Sequence, residues 1–425
     1  MITSTLVAFA VLVAVVILTS TVVKIPAPYG LFLSSIAAGL VAGVGLPVSR
    51  MVEGSFGFFY IILTFGSGLI LVKVMEGIGF NDHVQKLLLT RLARRRGVLY
   101  LSLMFLLMVP GMLTGIGSVA VVSTGAVVTA VLLGMGAPKT WTAVFVMTGA
   151  ILGMIAPPVN LPLMYIGVLI ALPYEGFGPI LLLLTIPIAI VTALWIGFRF
   201  GSTERLEERA RIITEKDSGT ALYAYLPIVT VLFLLIAERM IPVWPELALP
   251  LVLMIGALVG LPKLGFRKFF AASTDALKGQ AFLILMIIVT AGIKGEFLSL
   301  SGVRGLLATF FFAMVPAGLL IPSLIGMPLL GAFGTVFGAT FILGFPFVLA
   351  LLPRSSIITA AALSLIAAVA DIMPPTALSG NLAMNLVGLD RYRSIFYRAL
   401  LPAGGMIALG MAAIAFADLL AGFLT

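Results

Sequence analysis

Apolar runs of bilayer-spanning length recur along the whole chain, separated by short polar segments. They lie near residues 3–22, 29–47, 55–78, 221–238, 246–262, 280–298 and 402–423. Each approaches the ~20 consecutive apolar residues that a helix needs to cross the hydrocarbon core. An amphipathic stretch from Asn81 to Arg96 follows the third run. Two much longer apolar regions cover 98–200 and 303–388. The first is interrupted at Gly115–Gly117, Gly134–Pro138, Pro157–Pro158 and Pro173–Gly178.

The pattern divides the chain into a first group of spans and an arm helix (1–97), a first long region (98–200), a linker (201–220), a second group of spans (221–302), a second long region (303–389), and an arm with a last span (390–425). The N-terminal run has no basic residue before Lys24 and exceeds a signal-peptide core, so it reads as a first spanning helix.

"IAPPVNLPLM" (Ile155–Met164) has a later relative in "IMPPTALSGN" (Ile372–Asn381). Consecutive prolines lack N–H donors and clash with the preceding turn, so neither helix continues unbroken. The break motifs repeat in order. Gly117-Ser118 precedes Pro157-Pro158 by 40 residues, Gly334-Thr335 precedes Pro374-Pro375 by the same 40, and the two sets lie 217 residues apart. Pro138-Lys139-Thr140 finds a loose echo in Pro353-Arg354-Ser355.

An odd number of crossings between the halves would set them in opposite orientations, the inverted-repeat plan of many secondary transporters. The expected fold is an all-α polytopic membrane protein, with two re-entrant hairpins and two Pro-Pro-broken helices arranged as an inverted repeat.

Composition narrows the functional classes. Of the residues 61% are hydrophobic and only 10% charged, far from the quarter charged of a soluble domain. With no cysteine and a single histidine, His83, disulfides, thiolate metal sites, histidine clusters and Ser-His catalysis lack their parts. There is no HExxH motif, and the hydrophobic regions hold no paired carboxylates, so an intramembrane enzyme is disfavoured.

The net charge of +9 reflects basic loops between spans rather than a nucleic-acid partner. Placing those loops in the cytoplasm leaves only Arg50, Arg239, Lys294, Arg304 and Arg354 outside, with Lys73 near a span end and both termini outside. The Arg91–Arg96 cluster reads as a headgroup and topology anchor toward membrane lipid. Lys73 with Glu76, and Lys294 with Glu296, read as structural pairs or snorkelling groups.

Broken helices expose carbonyl oxygens and helix ends where a ligand can use them. Carbonyls and hydroxyls suit a hard cation such as Na+, while positive helix N-termini suit an anionic group. The candidate cation ligands are Gly115, Gly117, Ser118 and Pro157 in the first half, with Gly331, Gly334, Thr335, Asp371 and Pro374 in the second. Pro158, Asn160, Pro375, Thr376, Ser379 and Asn381 are the candidate substrate contacts. Asn160 could instead cap the helix after its break, and Ser118 and Thr335 could bond their own helix backbone. Asp371 is the only acid in the two long regions apart from Glu175, which sits in a loop, and its counterpart in the first half is Met154. An ionisable group at that depth reads as functional, completing a cation site or carrying a proton.

"EGIGF", "GMLTGIGSVAVVSTGAVV", "GMIAPPVNLPLMYIGV" and "IMPPTALSGNLAMNLVGL" together resemble the large membrane subunit of tripartite ATP-independent periplasmic (TRAP) transporters, within the wider ion-transporter group. The resemblance covers most of the chain. It implies an elevator mechanism and Na+-coupled uptake of a small organic acid such as a dicarboxylate, in a bacterial or archaeal cytoplasmic membrane. It also implies a small four-helix membrane subunit and a periplasmic substrate-binding protein as partners, with no cofactor beyond the coupling ion. Asp371 departs from the family pattern and leaves H+ open beside Na+. A stand-alone homodimeric symporter or antiporter of the same fold is the alternative.

Overall fold

A computed structural model describes residues 2–88, 92, 95–200, 222–241, 243–306, 309, 326–329, 336, 340, 355–374 and 377–424. Gly331, Gly334, Thr335, Pro375, Thr376, the echo at Pro353-Arg354 and the linker 201–220 lie outside the described residues, as do Arg91 and Arg94 of the basic cluster.

All regular structure among the described residues is helical. In chain order the helices are α1 (Ile2–Ile17), α2 (Ala27–Val41), α3 (Val48–Gly57), α4 (Phe59–Gly77), α5 (Phe80–Leu87), α6 (Arg96–Thr114) and α7 (Gly117–Gly134). Then come α8 (Lys139–Ile155), α9 (Leu161–Ile170), α10 (Gly178–Phe200), α11 (Leu226–Met240), α12 (Leu249–Val259), α13 (Leu261–Leu264), α14 (Phe266–Ala276) and α15 (Gln280–Leu300). The last four are α16 (Ser356–Ala368), α17 (Leu378–Val387), α18 (Arg393–Ala415) and α19 (Ala417–Leu424). Among the described residues six helices are long and apolar enough to cross a membrane: α4, α6, α7, α10, Ala281–Leu300 within α15, and α18.

The repeat is legible in the helix boundaries. Lys139–Ile155 and Ser356–Ile372 are both 17-residue apolar segments, the second running through a terminal 3-10 turn. In each case a ten-residue helix, α9 or α17, begins six residues after the segment ends. Both pairs of segments start and end 217 residues apart, the offset of the glycine and proline motifs.

The two long members form the centre of the molecule. α8 is buried at every position from Thr142 to Ile155, and α16 at every position from Ile358 to Ala368. α6, α10, α17 and α18 pack around α8, while α9, α10 and α18 pack on α16. Close approach of α6 and α8 depends on glycine. A Cβ at Gly111 would lie 2.8 Å from the Gly153 carbonyl carbon, and one at Gly153 would strike the Met108 carbonyl. Small residues let membrane helices meet backbone to backbone.

The remaining helices form two groups beside this centre. α15 packs along α2 and α3, with Gly54 and Gly292 in backbone contact, and α12 and α14 pack on α4. α4 is the bridge, because it also packs on α6. Three features differ from the hydrophobic pattern. α3 and α14 are short helices where loops were expected; both carry apolar residues at helical spacing among polar ones, a pattern too short to read as a span. The basic segment 390–398 is also no separate arm, since Arg393 begins the same helix that continues to Ala415. Pro402 sits inside that helix, nine residues after its start, too far along to mark the beginning.

Candidate functional site

The first glycine tip is a two-residue reversal between α6 and α7. Gly115 closes α6 in the left-handed conformation at φ 68°, which glycine adopts without a Cβ penalty. Ile116 is extended, and α7 begins at Gly117 with no side chain capping its first N–H groups. Those groups give α7 a positive end at the tip.

The tip touches both helix breaks. A Cβ at Gly115 would lie 2.9 Å from the Leu161 nitrogen and 3.0 Å from Val159 Cγ1, and the Val159 N–H donates to the Met112 carbonyl at 3.1 Å. Gly117 faces the other half, since a Cβ there would lie 2.7 Å from Ser379 Oγ and 3.3 Å from the Ala150 carbonyl.

The first break is closed by protein groups. Pro157-Pro158 is a cis peptide, and both prolines are half-buried. Asn160 is fully buried and caps α9, its Oδ1 accepting from the Leu163 N–H at 2.9 Å. Its Nδ2 donates to the Ile155 carbonyl at 3.0 Å and to Ser364 Oγ of α16 at 2.9 Å. The Tyr174 hydroxyl accepts from the Asn160 N–H at 3.0 Å and donates to the Pro158 carbonyl at 3.1 Å. Both amide protons of Asn160 are thus committed within the protein.

The second break carries the charge. Asp371 sits in the 3-10 turn Val369–Ile372 and is 6% exposed. Ser379, fully buried in the first turn of α17, donates its hydroxyl to Asp371 Oδ2 at 2.6 Å. Tyr392 donates to the Ile372 carbonyl at 2.7 Å, bracing the turn from the residue before α18. Ala377, which precedes α17, holds φ at 28°, a region that L-residues rarely occupy. Pro374 is exposed, and Asn381 is half-buried on α17. Gly117 meets Ser379, and Ser379 meets Asp371, so one hydroxyl stands between the positive end of α7 and a buried carboxylate.

Ser118 points elsewhere. It lines a cavity of about 140 Å³ with Lys73 and Glu76 of α4, and with Asp275 and Lys278 at the end of α14. Lys73 pairs with Glu76 at 2.8 Å and Lys278 with Asp275 at 3.3 Å. On the same face, a π-helical stretch at Val121–Gly125 accompanies the Ser123 carbonyl, which accepts from Asn81 Nδ2 at 3.1 Å.

The structure therefore gathers Gly115 with the first break, and Gly117 with Ser379 and Asp371, while Ser118 faces the ion pairs. Four partners escaped the sequence reading in these roles: Lys73 as a cavity wall, and Tyr174, Ser364 and Tyr392 as groups that satisfy the breaks. Only Lys73 left a trace, as a charged residue three before Glu76 within a span.

No protein-family model and no curated protein matches the sequence. Solved structures do share its architecture. The chain is similar to Neisseria gonorrhoeae MtrF, which illuminates a class of antimetabolite efflux pumps. That match has a TM-score of 0.64 and 15% identity over 95% of this chain and 97% of that one. It is also similar to the Alcanivorax borkumensis YdaH transporter, which has an unusual topology, at a TM-score of 0.57 and 16% identity over 94% and 99%. At such identities the likeness is one of fold. The chain has the fold of these polytopic helical membrane transporters, across nearly its whole length.

Proposed function

We propose that this chain is a secondary active transporter that moves a small organic anion in exchange for, or together with, a cation. The observation that carries the reading is the junction of Gly117, Ser379 and Asp371. There a helix N-terminus from one half meets a hydroxyl from the other, which is itself bonded to a buried carboxylate across a helix break. Such a junction offers ligands to a cation or a proton beside a positive helix end for an anion, and no covalent chemistry is required. The finer reading follows the sequence resemblance: the large subunit of a TRAP-type system, taking up a carboxylate with Na+ by an elevator motion. Its partners would be a small membrane subunit and a periplasmic binding protein.

A second reading is favoured by Asp371 and by the efflux pump among the structural neighbours: a self-sufficient, proton-coupled transporter working outward. Transport in proteoliposomes separates the two. The purified chain is reconstituted alone and tested with labelled organic acids under Na+ or pH gradients of either direction. Na+-driven flux that falls in Ser118→Ala supports the Na+ reading, and pH-driven flux lost in Asp371→Asn supports protons. Silence until a binding protein and small subunit are added supports the tripartite system. Silence even then sinks organic-anion transport.

A further inference from the structure

An apolar groove of about 500 Å³ lies between α8, α10 and α18. Among the described residues no charged side chain lines it. Its floor on α18 is open at Gly405, where a Cβ would meet no atom within 4 Å. Trp141 and Trp195 form one wall, ring centroids 4.9 Å apart, and Phe200 stacks on Trp141 at 5.1 Å. Two exposed arginines flank this aromatic cluster. Arg398 lies over the Trp141 ring at 5.8 Å and Arg199 over the Phe200 ring at 5.7 Å.

A groove bordered by tryptophans and guanidinium groups matches the two ends of one kind of molecule. We infer that it is a binding site for an anionic phospholipid, an acyl chain lying in the groove and the phosphate meeting Arg199 and Arg398. Tryptophan rings favour the level of the headgroups, which sets the aromatic cluster at the interface and the rest of the groove in the hydrocarbon. Arginine pairs with phosphate through a planar fork of donors. Arg398 gives one N–H to the Ser394 carbonyl at 2.7 Å, which fixes the side chain and leaves further donors in the fork. Both arginines belong to the segments that the charge distribution assigns to the cytoplasmic face, where anionic headgroups draw basic residues. A partner helix filling the same groove would use its apolar walls but would give the two cations no counter-charge.

The groove contains two of the protein's three tryptophans, so it carries its own reporter. Trp244→Phe confines the fluorescence to Trp141 and Trp195. The protein is reconstituted in vesicles containing phosphatidylglycerol or phosphatidylcholine brominated on the acyl chains. The expected result is stronger quenching by brominated phosphatidylglycerol at equal mole fraction, reversed by its unbrominated form. Arg199→Gln and Arg398→Gln should each weaken that preference roughly five-fold, as expected for one basic side chain at an anionic surface. Loss of the preference at high salt in the protein with both arginines intact is the second measurement, and it needs no arginine variant to fold. Equal quenching by both lipids, unmoved by salt, would mean ordinary lipid contact and overturn the assignment. Protection from both lipids would mean that a protein segment fills the groove, which overturns it equally.

Discussion

Ser379 donates its hydroxyl to Asp371 across 2.6 Å, joining the first turn of one helix to the last turn of the helix before it. The bond spans the second break and ties the carboxylate to the hydroxyl that the tip at Gly117 meets. Asp371→Asn preserves the shape and still accepts from Ser379, but removes the charge. Coupled transport should fall about ten-fold or more, the scale of the roughly 1–1.5 kcal/mol by which a charged acceptor exceeds a neutral one. Thermal unfolding in detergent should move little. Wild-type flux in liposomes would remove Asp371 from the mechanism.

Gly117→Ala places a methyl group against Ser379 Oγ and the Ala150 carbonyl. Overpacking of this kind costs about 1–3 kcal/mol. Ser379→Ala in the same chain removes the nearer obstacle and should recover part of that loss, though not the bond to Asp371. A double-mutant cycle read by chemical unfolding measures the recovery. Strict additivity would show that the two residues do not meet.

Asn160 and Ser364 should be unequal partners. Asn160→Ala removes a helix cap, worth about 1 kcal/mol, and orphans the buried Ile155 carbonyl, while Ser364 keeps its bond to the Ala361 carbonyl. A total loss of about 2–4 kcal/mol follows. Ser364→Ala deprives Asn160 of one partner of three and should cost about 1 kcal/mol. Equal losses in denaturant titrations would contradict this ranking.

Lys73→Gln tests the cavity in front of Ser118. The Lys73–Glu76 pair is partly exposed, so its loss should change stability by no more than about 1 kcal/mol. If anions pass through this cavity, their apparent affinity should weaken while a neutral analogue is unaffected. Unchanged concentration dependence for both would exclude Lys73 from the path.

Much of this was legible in the chain. Apolar runs marked most of the long helices, and doubled prolines marked the ends of both central helices. The shared offset anticipated helix boundaries that coincide between the halves, and Asp371 stood out because so few acids occur at that depth. Which faces meet was not legible. Periodicity reports spacing along a helix, but the partners of Asn160 and Gly117 are Ser364, 204 residues away, and Ser379, in the other half. Ser118 and Gly117 are neighbours in sequence yet face different directions, because successive helical positions diverge by about 100°. Tyr174 could not be assigned from its position in a loop, since its hydroxyl matters only once the first break has folded back against it.

The contacts made by Asn160 and Gly117 run crosswise. The first break is tied to the long helix of the second half, and the first tip rests on the second break. Neither break can be pried apart without dragging on the opposite repeat. The two halves therefore form one interlocked body at their centre. A shift of either break is thus carried into the other half.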